Sequence, residues 1–316
     1  MAKGKAPGKY YRETISVMEL NDMFPDEESA VRWFEETRWP DGRHCPRCGS
    51  VHTKDVPNAK PMPYWCRGCK SYFSVRTSTS IEHSRLPLRK WVFATYLFVT
   101  SLKGVSSMKL HNDLKVTQKT AWFMLHRLRE AWDEGGLEQF VGPAEMDETY
   151  MGGREKNKHS GKKLRAGRGT VGKTIVAGVR DRATNRVMAE VVPDTTGKTL
   201  ERFVADRTVK GATVYTDRAA AYQGGISGRE HEAVNHRIGE FVRGDVHTNG
   251  IESFWAMLKR AHKGTFHKIS AKHMQRYVTE FAGRHNVRDE DTIDQMRNVI
   301  AGAVGKRLMY RDLIAN

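Results

Sequence analysis

The chain has 316 residues, enough for two or three domains with a sizeable core. Lys and Arg number 53 against 37 Asp and Glu, and the formal net charge of +16 predicts a polyanionic partner, most simply nucleic acid. No apolar run is long enough to span a bilayer and neither a secretion signal nor a lipidation signal stands out, so we expect a soluble, intracellular protein that binds no membrane.

The N-terminal part contains all four cysteines, after a small helical element predicted within 16–39. Two residues separate Cys45 from Cys48 and Cys66 from Cys69, and 17 residues separate the pairs. This spacing is typical of a four-cysteine zinc site. The alternative, two disulfides in a small secreted domain, is weak because no export signal accompanies them. We expect a structural Zn²⁺ with no catalytic work.

Short strands at 64–65 and 71–75 would complete a zinc ribbon. Its basic surface would face DNA or another protein, and the ribbon alone does not decide between these partners. The basic residues of this surface are Arg43, Arg47, Arg67 and Lys70.

Helical periodicity follows in 88–132. We predict one apolar helix over 88–102, a second capped by Ser106 and a third capped by Thr117. The last two resemble a helix-turn-helix, although any three-helix bundle shows similar spacing. The side chains of the third helix predicted to face DNA are Gln118, Lys119, Thr120 and Arg127.

The chain then becomes α/β, starting with a predicted strand at 144–151. A basic, glycine-rich loop at 152–173 follows it, either as a solvated surface loop or as a DNA contact. The position directly after an acidic strand favours DNA. The candidate contacts in this loop are Arg154, Lys156, Lys158, Lys162, Lys163, Arg165 and Arg168.

Three acids fall at defined positions in the predicted α/β order. Strands at 174–179 and 186–192, a helix at 198–209, a strand at 212–216 and a helix after Asn249 give the order of a ribonuclease-H-like sheet. Its first and fourth strands are neighbours, which would bring Asp147, Asp217 and Glu252 together. Lys259 lies two helical turns beyond Glu252, on the same side. Alternatively, Asn249 and Glu252 form a helix-capping pair.

The chain resembles prokaryotic insertion-sequence transposases of the zinc-ribbon DDE family. The resemblance covers the chain from about Phe34 to about Asn286. It is carried by the two cysteine pairs, Phe73-Ser-Val-Arg-Thr77, the Thr120-Ala-Trp122 helix, Met146-Asp-Glu-Thr-Tyr-Met-Gly-Gly153, Tyr215-Thr-Asp217 and His247-Thr-Asn-Gly-Ile-Glu-Ser-Phe-Trp255 with Lys259. Ser78 stands where such relatives usually have glycine.

The resemblance implies metal-assisted phosphoryl transfer. Asp147, Asp217 and Glu252 would hold two Mg²⁺ or Mn²⁺ ions about 4 Å apart. Because relatives vary at the third acidic position, Asn249 is an alternative to Glu252. Lys259 would contact a phosphate. The partners would be double-stranded DNA, at transposon ends and at the target, bound by a homodimer or higher oligomer in the cytoplasm and on the nucleoid.

These assignments predict a multidomain α+β protein. The expected domains are a helical element and zinc ribbon at 1–80, a helix-turn-helix at 81–136 and a ribonuclease-H-like catalytic domain at 137–316. Two other functions share these features. One is a DNA-binding regulator with an inactive sheet domain, and the other is a ribonuclease-H-like nuclease that cuts without joining.

Overall fold

The computed structural model describes residues 12–132, 138–153, 155–164, 169–217, 226–234, 238–240 and 242–315, with only the backbone of Lys156 and Lys162. The chain divides into two compact units. One comprises Met1–Glu134 with Val287–Asn316, and the other Gly135–Asn286. In the described ranges, no helix has both the length and the apolar character needed to cross a bilayer.

The first unit begins with two capped helices and a three-stranded antiparallel sheet. Ser16 and Asp26 each accept a hydrogen bond from the third backbone N–H of the helix that follows, which stabilises the helix start. The predicted ribbon strands are confirmed, and the sequence analysis missed the first strand of the sheet. The elements are α1 (Val17–Met23), α2 (Glu27–Arg38), β1 (Thr53–Asp55), β2 (Tyr64–Cys66) and β3 (Ser71–Phe73).

Three helices follow the ribbon, as predicted: α3 (Leu88–Thr100), α4 (Ser107–Leu114) and α5 (Gln118–Ala131). Ser106 caps α4 and Thr117 caps α5, each through its hydroxyl group. The buried residues of α5 include Ala121, Met124, Leu125 and Leu128.

The second unit contains a mixed five-stranded sheet. Its strand order is β6-β5-β4-β7-β8, in which β4 pairs antiparallel with β5 and parallel with β7. This confirms the predicted ribonuclease-H-like neighbourhood of the first and fourth strands. The elements are β4 (Ala144–Met151), β5 (Thr174–Asp181), β6 (Val187–Val192), α6 (Gly197–Arg207), β7 (Thr213–Asp217), β8 (Glu230–Val234), α7 (Asn249–Ala261) and α8 (Met274–Asn286).

Helices cover both faces of this sheet. Because side chains alternate along a strand, Met146 faces α6, whereas Asp147 lies on the opposite face. Helix α7 packs on the Asp147 face. Gly178 is the register partner of Asp147 on β5, and a Cβ there would lie 2.6 Å from the ring of Trp255. Glycine therefore lets α7 approach the sheet beside Asp147.

The chain returns to the first unit through α9 (Thr292–Gly302) and α10 (Tyr310–Ile314). Met296, Val299 and Ile300 of α9 are buried in the same core as Leu125 of α5. Their position in the chain had placed these residues in the predicted domain at 137–316. Their packing instead completes the core that the ribbon and α3–α5 share.

Candidate functional site

The four cysteine side chains converge in the ribbon. Their Sγ atoms all lie within 4.8 Å of one another, and the Cys45–Cys69 and Cys48–Cys66 pairs are each 3.6 Å apart. A disulfide requires about 2.05 Å. Tetrahedral zinc with Zn–S bonds of about 2.3 Å requires S–S distances near 3.8 Å. The thiols are free and their geometry fits a structural Zn²⁺.

Two acids meet at the centre of the second sheet. The parallel register between β4 and β7 pairs Glu145 with Tyr215. Extending this register by two residues brings Asp147 opposite Asp217, the last residue of β7, on the same face of the sheet. The strand order alone therefore brings two carboxylates that are 70 residues apart in sequence to neighbouring positions.

Helix α7 carries the third acid over the same face. It buries Ile251, Phe254, Trp255 and Leu258 and exposes Glu252 and Lys259 on the other side. The alternative in which Asn249 and Glu252 form a helix-capping pair is wrong. The N-cap residue is Thr248, whose hydroxyl donates to Glu252 Oε1 at 2.9 Å, while Asn249 is exposed.

Burial and the other acids raise the pKa of Asp147. Its burial, followed by the charges of Glu148, Asp217 and Glu252, raises the pKa of Asp147 to about 8. Asp217 Oδ1 is also buried, and no hydrogen-bond partner for it lies among the described residues. Buried carboxylate oxygens that repel one another are the hard ligands that Mg²⁺ and Mn²⁺ prefer. The oxygen donors are therefore of the type that divalent cations bind, although in the described residues only the four cysteines bring three or more ligand atoms within 4.8 Å of one another.

A cleft of about 480 Å³ opens at the end of β4, and its lining includes Glu148 and Lys259 but none of Asp147, Asp217 and Glu252. Glu148 supplies a carboxylate to its wall, and Lys259 extends from α7 into the lining. The other charged or titratable groups in the lining are Tyr150, Lys173, His262 and Lys263. A cleft lined by several cationic side chains attracts phosphate groups.

Two families of known proteins match this chain, and both are described as domains of transposases. A family described as the ISXO2-like transposase domain matches residues 139–286, and one described as the transposase zinc-ribbon domain matches residues 25–72. The two matches together cover more than half of the chain. This chain belongs to the zinc-ribbon DDE transposases of insertion sequences.

A relative of this transposase is described as an uncharacterized protein in transposable element ISH50 of Halobacterium salinarum. The two are 28% identical over 295 residues, which is 89% of this chain and 98% of the relative. Membership in the transposase family, with its zinc ribbon, implies DNA binding.

The predicted DNA-facing side chains of α5 divide into two groups. Gln118 and Lys119 are exposed, and Thr120 is half-buried at the start of the helix. Lys119 Nζ lies 4.4 Å from the ring centre of Tyr310. Arg127 does not face outward, contrary to the prediction, because it is 8% exposed and its guanidinium stacks over Phe123. Of the four side chains predicted to face DNA, only the three in the first turn of α5 are therefore accessible.

The basic loop after β4 is described in part. Lys158 forms an ion pair with Glu155 at 2.6 Å, and Lys163 is exposed. The other predicted DNA contacts of the loop lie outside the residues whose side chains are described, and they are Arg154, Lys156, Lys162, Arg165 and Arg168.

Sequence reasoning assigned no role to Glu145, which the structure buries completely beside the acids. Arg180 donates to Glu145 Oε1 at 3.0 Å, and the backbone N–H of Ile251 donates to Oε2 at 2.9 Å. A carboxylate in an apolar strand, two residues before a site acid and on its face, was a signal that it needs buried partners. The sequence does not indicate which residues supply them.

Proposed function

We propose that this transposase cuts DNA at the ends of its insertion sequence and joins the freed ends to target DNA. The observation that supports the proposal is the parallel register of β4 and β7, which brings Asp147 opposite Asp217 on the sheet face that α7 covers. Family membership supplies the reaction class, and the acids and the cationic cleft supply groups suited to it.

In the first step, water attacks a phosphorus at the element end, the P–O3′ bond breaks and a 3′-hydroxyl is released. In the second, this hydroxyl attacks a target phosphorus and displaces the target's own 3′ oxygen. Asp147, Asp217 and Glu252 would hold two Mg²⁺ or Mn²⁺ ions. When bound, such ions activate the attacking oxygen and stabilise the leaving one. No covalent bond to the protein is required.

The remaining groups would position DNA. Lys259, exposed on α7 beside Glu252, would contact a phosphate near the scissile bond. The start of α5, the zinc ribbon and the basic loop at 152–173 would bind DNA elsewhere. Because both ends of an element must be joined in one complex, we infer a homodimer or a higher oligomer on DNA.

We assign the third ligand to Glu252 rather than Asn249. The charge of Glu252 contributes to the raised pKa of Asp147, and the Thr248 hydroxyl orients its carboxylate. Glu252→Gln should abolish cleavage, whereas Asn249→Ala should leave most of it. The reverse ranking would transfer the role to Asn249.

The decisive experiment incubates purified protein with Mg²⁺ and DNA that carries the element ends. Hydrolysis to a 3′-hydroxyl followed by a joined product supports the proposal. End-specific binding without nicking, by a folded protein, would favour the DNA-binding regulator. Cutting without joining would favour a ribonuclease-H-like nuclease.

A further inference from the structure

Arg182, the residue directly after β5, contacts both strands that carry the site acids. Its Nε donates to Glu145 Oε1 at 2.9 Å, and Glu145 precedes Asp147 by two residues on the same strand face. Its guanidinium lies 4.4 Å from the ring centre of Tyr215, which precedes Asp217 by two residues. One side chain therefore links the positions immediately behind two of the acids.

The same guanidinium also holds the segment that leads into α7. Its two terminal nitrogens donate to the backbone oxygens of Asp245, at 2.5 Å, and His247, at 2.8 Å. One of them also lies 2.9 Å from His247 Nδ1. Because this segment leads directly into α7, which carries Glu252, Arg182 contacts the two strands that carry acids and the residues just before the helix that carries the third.

Glu145 extends this link to the start of α7 itself. Its carboxylate is fully buried and accepts from Arg180, from Arg182 and from the backbone N–H of Ile251. A negative charge at a helix N-terminus is favourable, and here a strand residue supplies it. A Cβ on Gly250 would lie 2.7 Å from Glu145 Oε2, so glycine is required for this close approach.

We propose that Arg182 is the positioning residue of the acidic site, and that it holds Asp147, Asp217 and Glu252 at fixed separations. It does so through Glu145, Tyr215 and the 245–247 segment. None of its hydrogen bonds within the described part of the chain goes to the three acids, so it acts through other residues. The inference rests on the proposed function for the meaning of the acids as metal ligands.

Lysine cannot replace arginine in this role. The planar guanidinium donates in several fixed directions and stacks on an aromatic ring, whereas an ammonium is a single point charge. Arg182→Lys keeps the positive charge beside Glu145, so it limits the unfolding that an unpaired buried carboxylate would cause. It loses the simultaneous contacts to β7 and to the start of α7.

The test compares the full-length, zinc-loaded wild type with Arg182→Lys, Arg182→Gln and the control Arg202→Gln. Arg202 lies on α6 with its side chain 84% exposed. Three measurements are made on each protein: amide hydrogen exchange across residues 249–252, the Mn²⁺ dissociation constant by electron paramagnetic resonance, and thermal unfolding.

We expect faster exchange at the start of α7 in both Arg182 variants, with β5 and α6 still protected. Mn²⁺ affinity should fall about 10- to 100-fold, the usual loss when a residue that orients metal ligands is removed. Arg182→Lys should unfold near the wild-type temperature, and Arg202→Gln should match the wild type throughout.

Unchanged exchange and Mn²⁺ affinity in Arg182→Lys would overturn the proposal. So would a uniform acceleration across the whole unit, which would make Arg182 a contributor to overall stability only. If the wild type and Asp147→Asn bind Mn²⁺ equally, the proposed function fails instead. The exchange data then decide by themselves whether Arg182 fixes α7 against the two strands.

Discussion

The four thiolates of the ribbon and the three carboxylates of the sheet are assembled in different ways. The thiolates come from one stretch of 25 residues and converge to within 4.8 Å. The carboxylates come from two strands and a helix, and the side chains that hold those elements together lie elsewhere in the sheet. The first cluster is a local structure, whereas the second depends on the complete fold of its unit.

The two clusters also differ in what their ligands do without a metal. Cys45 and Cys66 are buried in the ribbon core, so zinc supplies part of the folding energy there. The acids destabilise one another, and the proton that Asp147 retains relieves part of the repulsion. A metal should therefore be a requirement for folding in one cluster and a requirement for activity in the other.

The largest expected effect is on the ribbon. Cys66→Ser removes a buried ligand, and structural zinc sites contribute about 10–16 kcal/mol of binding free energy to folding. We expect loss of bound zinc, measured by mass spectrometry, and loss of the ribbon's cooperative unfolding. Mn²⁺ binding by the second unit should persist. A variant that keeps both zinc and its unfolding temperature would show that the thiolates are not the ligands.

Asp147→Asn should abolish cleavage and spare folding. The loss should exceed the roughly 100-fold typical of removing a residue that only orients a ligand. DNA affinity, measured by fluorescence anisotropy, should stay within about twofold, because the DNA contacts lie elsewhere. Asp206→Asn, an exposed acid on α6 at 60% side-chain exposure, is the matched control. A fully active Asp147→Asn enzyme would remove this residue from the site.

The raised pKa of Asp147 predicts that the stability of the second unit depends on pH. Below about pH 4 this carboxyl is protonated in both the folded and the unfolded chain. Between about pH 4 and 8 only the folded chain retains this proton. The free energy of unfolding therefore falls as the pH rises through this range, and the loss is complete above the folded pKa.

The measurement is the difference in unfolding free energy between wild type and Asp147→Asn, with zinc bound and without Mg²⁺ or Mn²⁺. Asparagine mimics the protonated carboxyl at every pH. The wild type should lose a few kcal/mol relative to the variant between about pH 4 and pH 8. A difference that stays constant with pH would mean that Asp147 titrates normally.

Lys259→Gln should have a smaller effect on cleavage. A hydrogen bond to a charged group contributes about 1.5–3 kcal/mol, which corresponds to roughly 10- to 150-fold in rate. Arg260→Gln, the exposed neighbour on the same helix, serves as the control, since its Nε donates to the carbonyl oxygen of Ala256. Equal rates for the two variants would show that general charge on α7, rather than Lys259, attracts DNA.

The elements that sequence predicted correctly are those whose pattern is local. The strand at 144–151 and the caps Ser106 and Thr117 have the predicted bounds, because alternation and capping act over a few residues. The outer strand β8 was missed, since Glu230-His-Glu-Ala-Val234 reads as polar and gains strand structure by pairing with β7.

Features set by distant packing were not predictable in the same way. Helix α9 packs with α5 although it follows the sheet of the second unit in the chain. The contacts of Arg182 span 65 residues from His247 and 37 from Glu145. No local spacing encodes such partners, so the acids could be proposed from sequence while their support could not.

The most direct measurement is anomalous diffraction from crystals soaked in Mn²⁺. The account predicts manganese peaks within carboxylate bonding distance of Asp147, Asp217 and Glu252, separate from a zinc peak at the four cysteines. Manganese bound elsewhere, with these three side chains free of it, would contradict the central claim and leave a zinc-containing DNA binder.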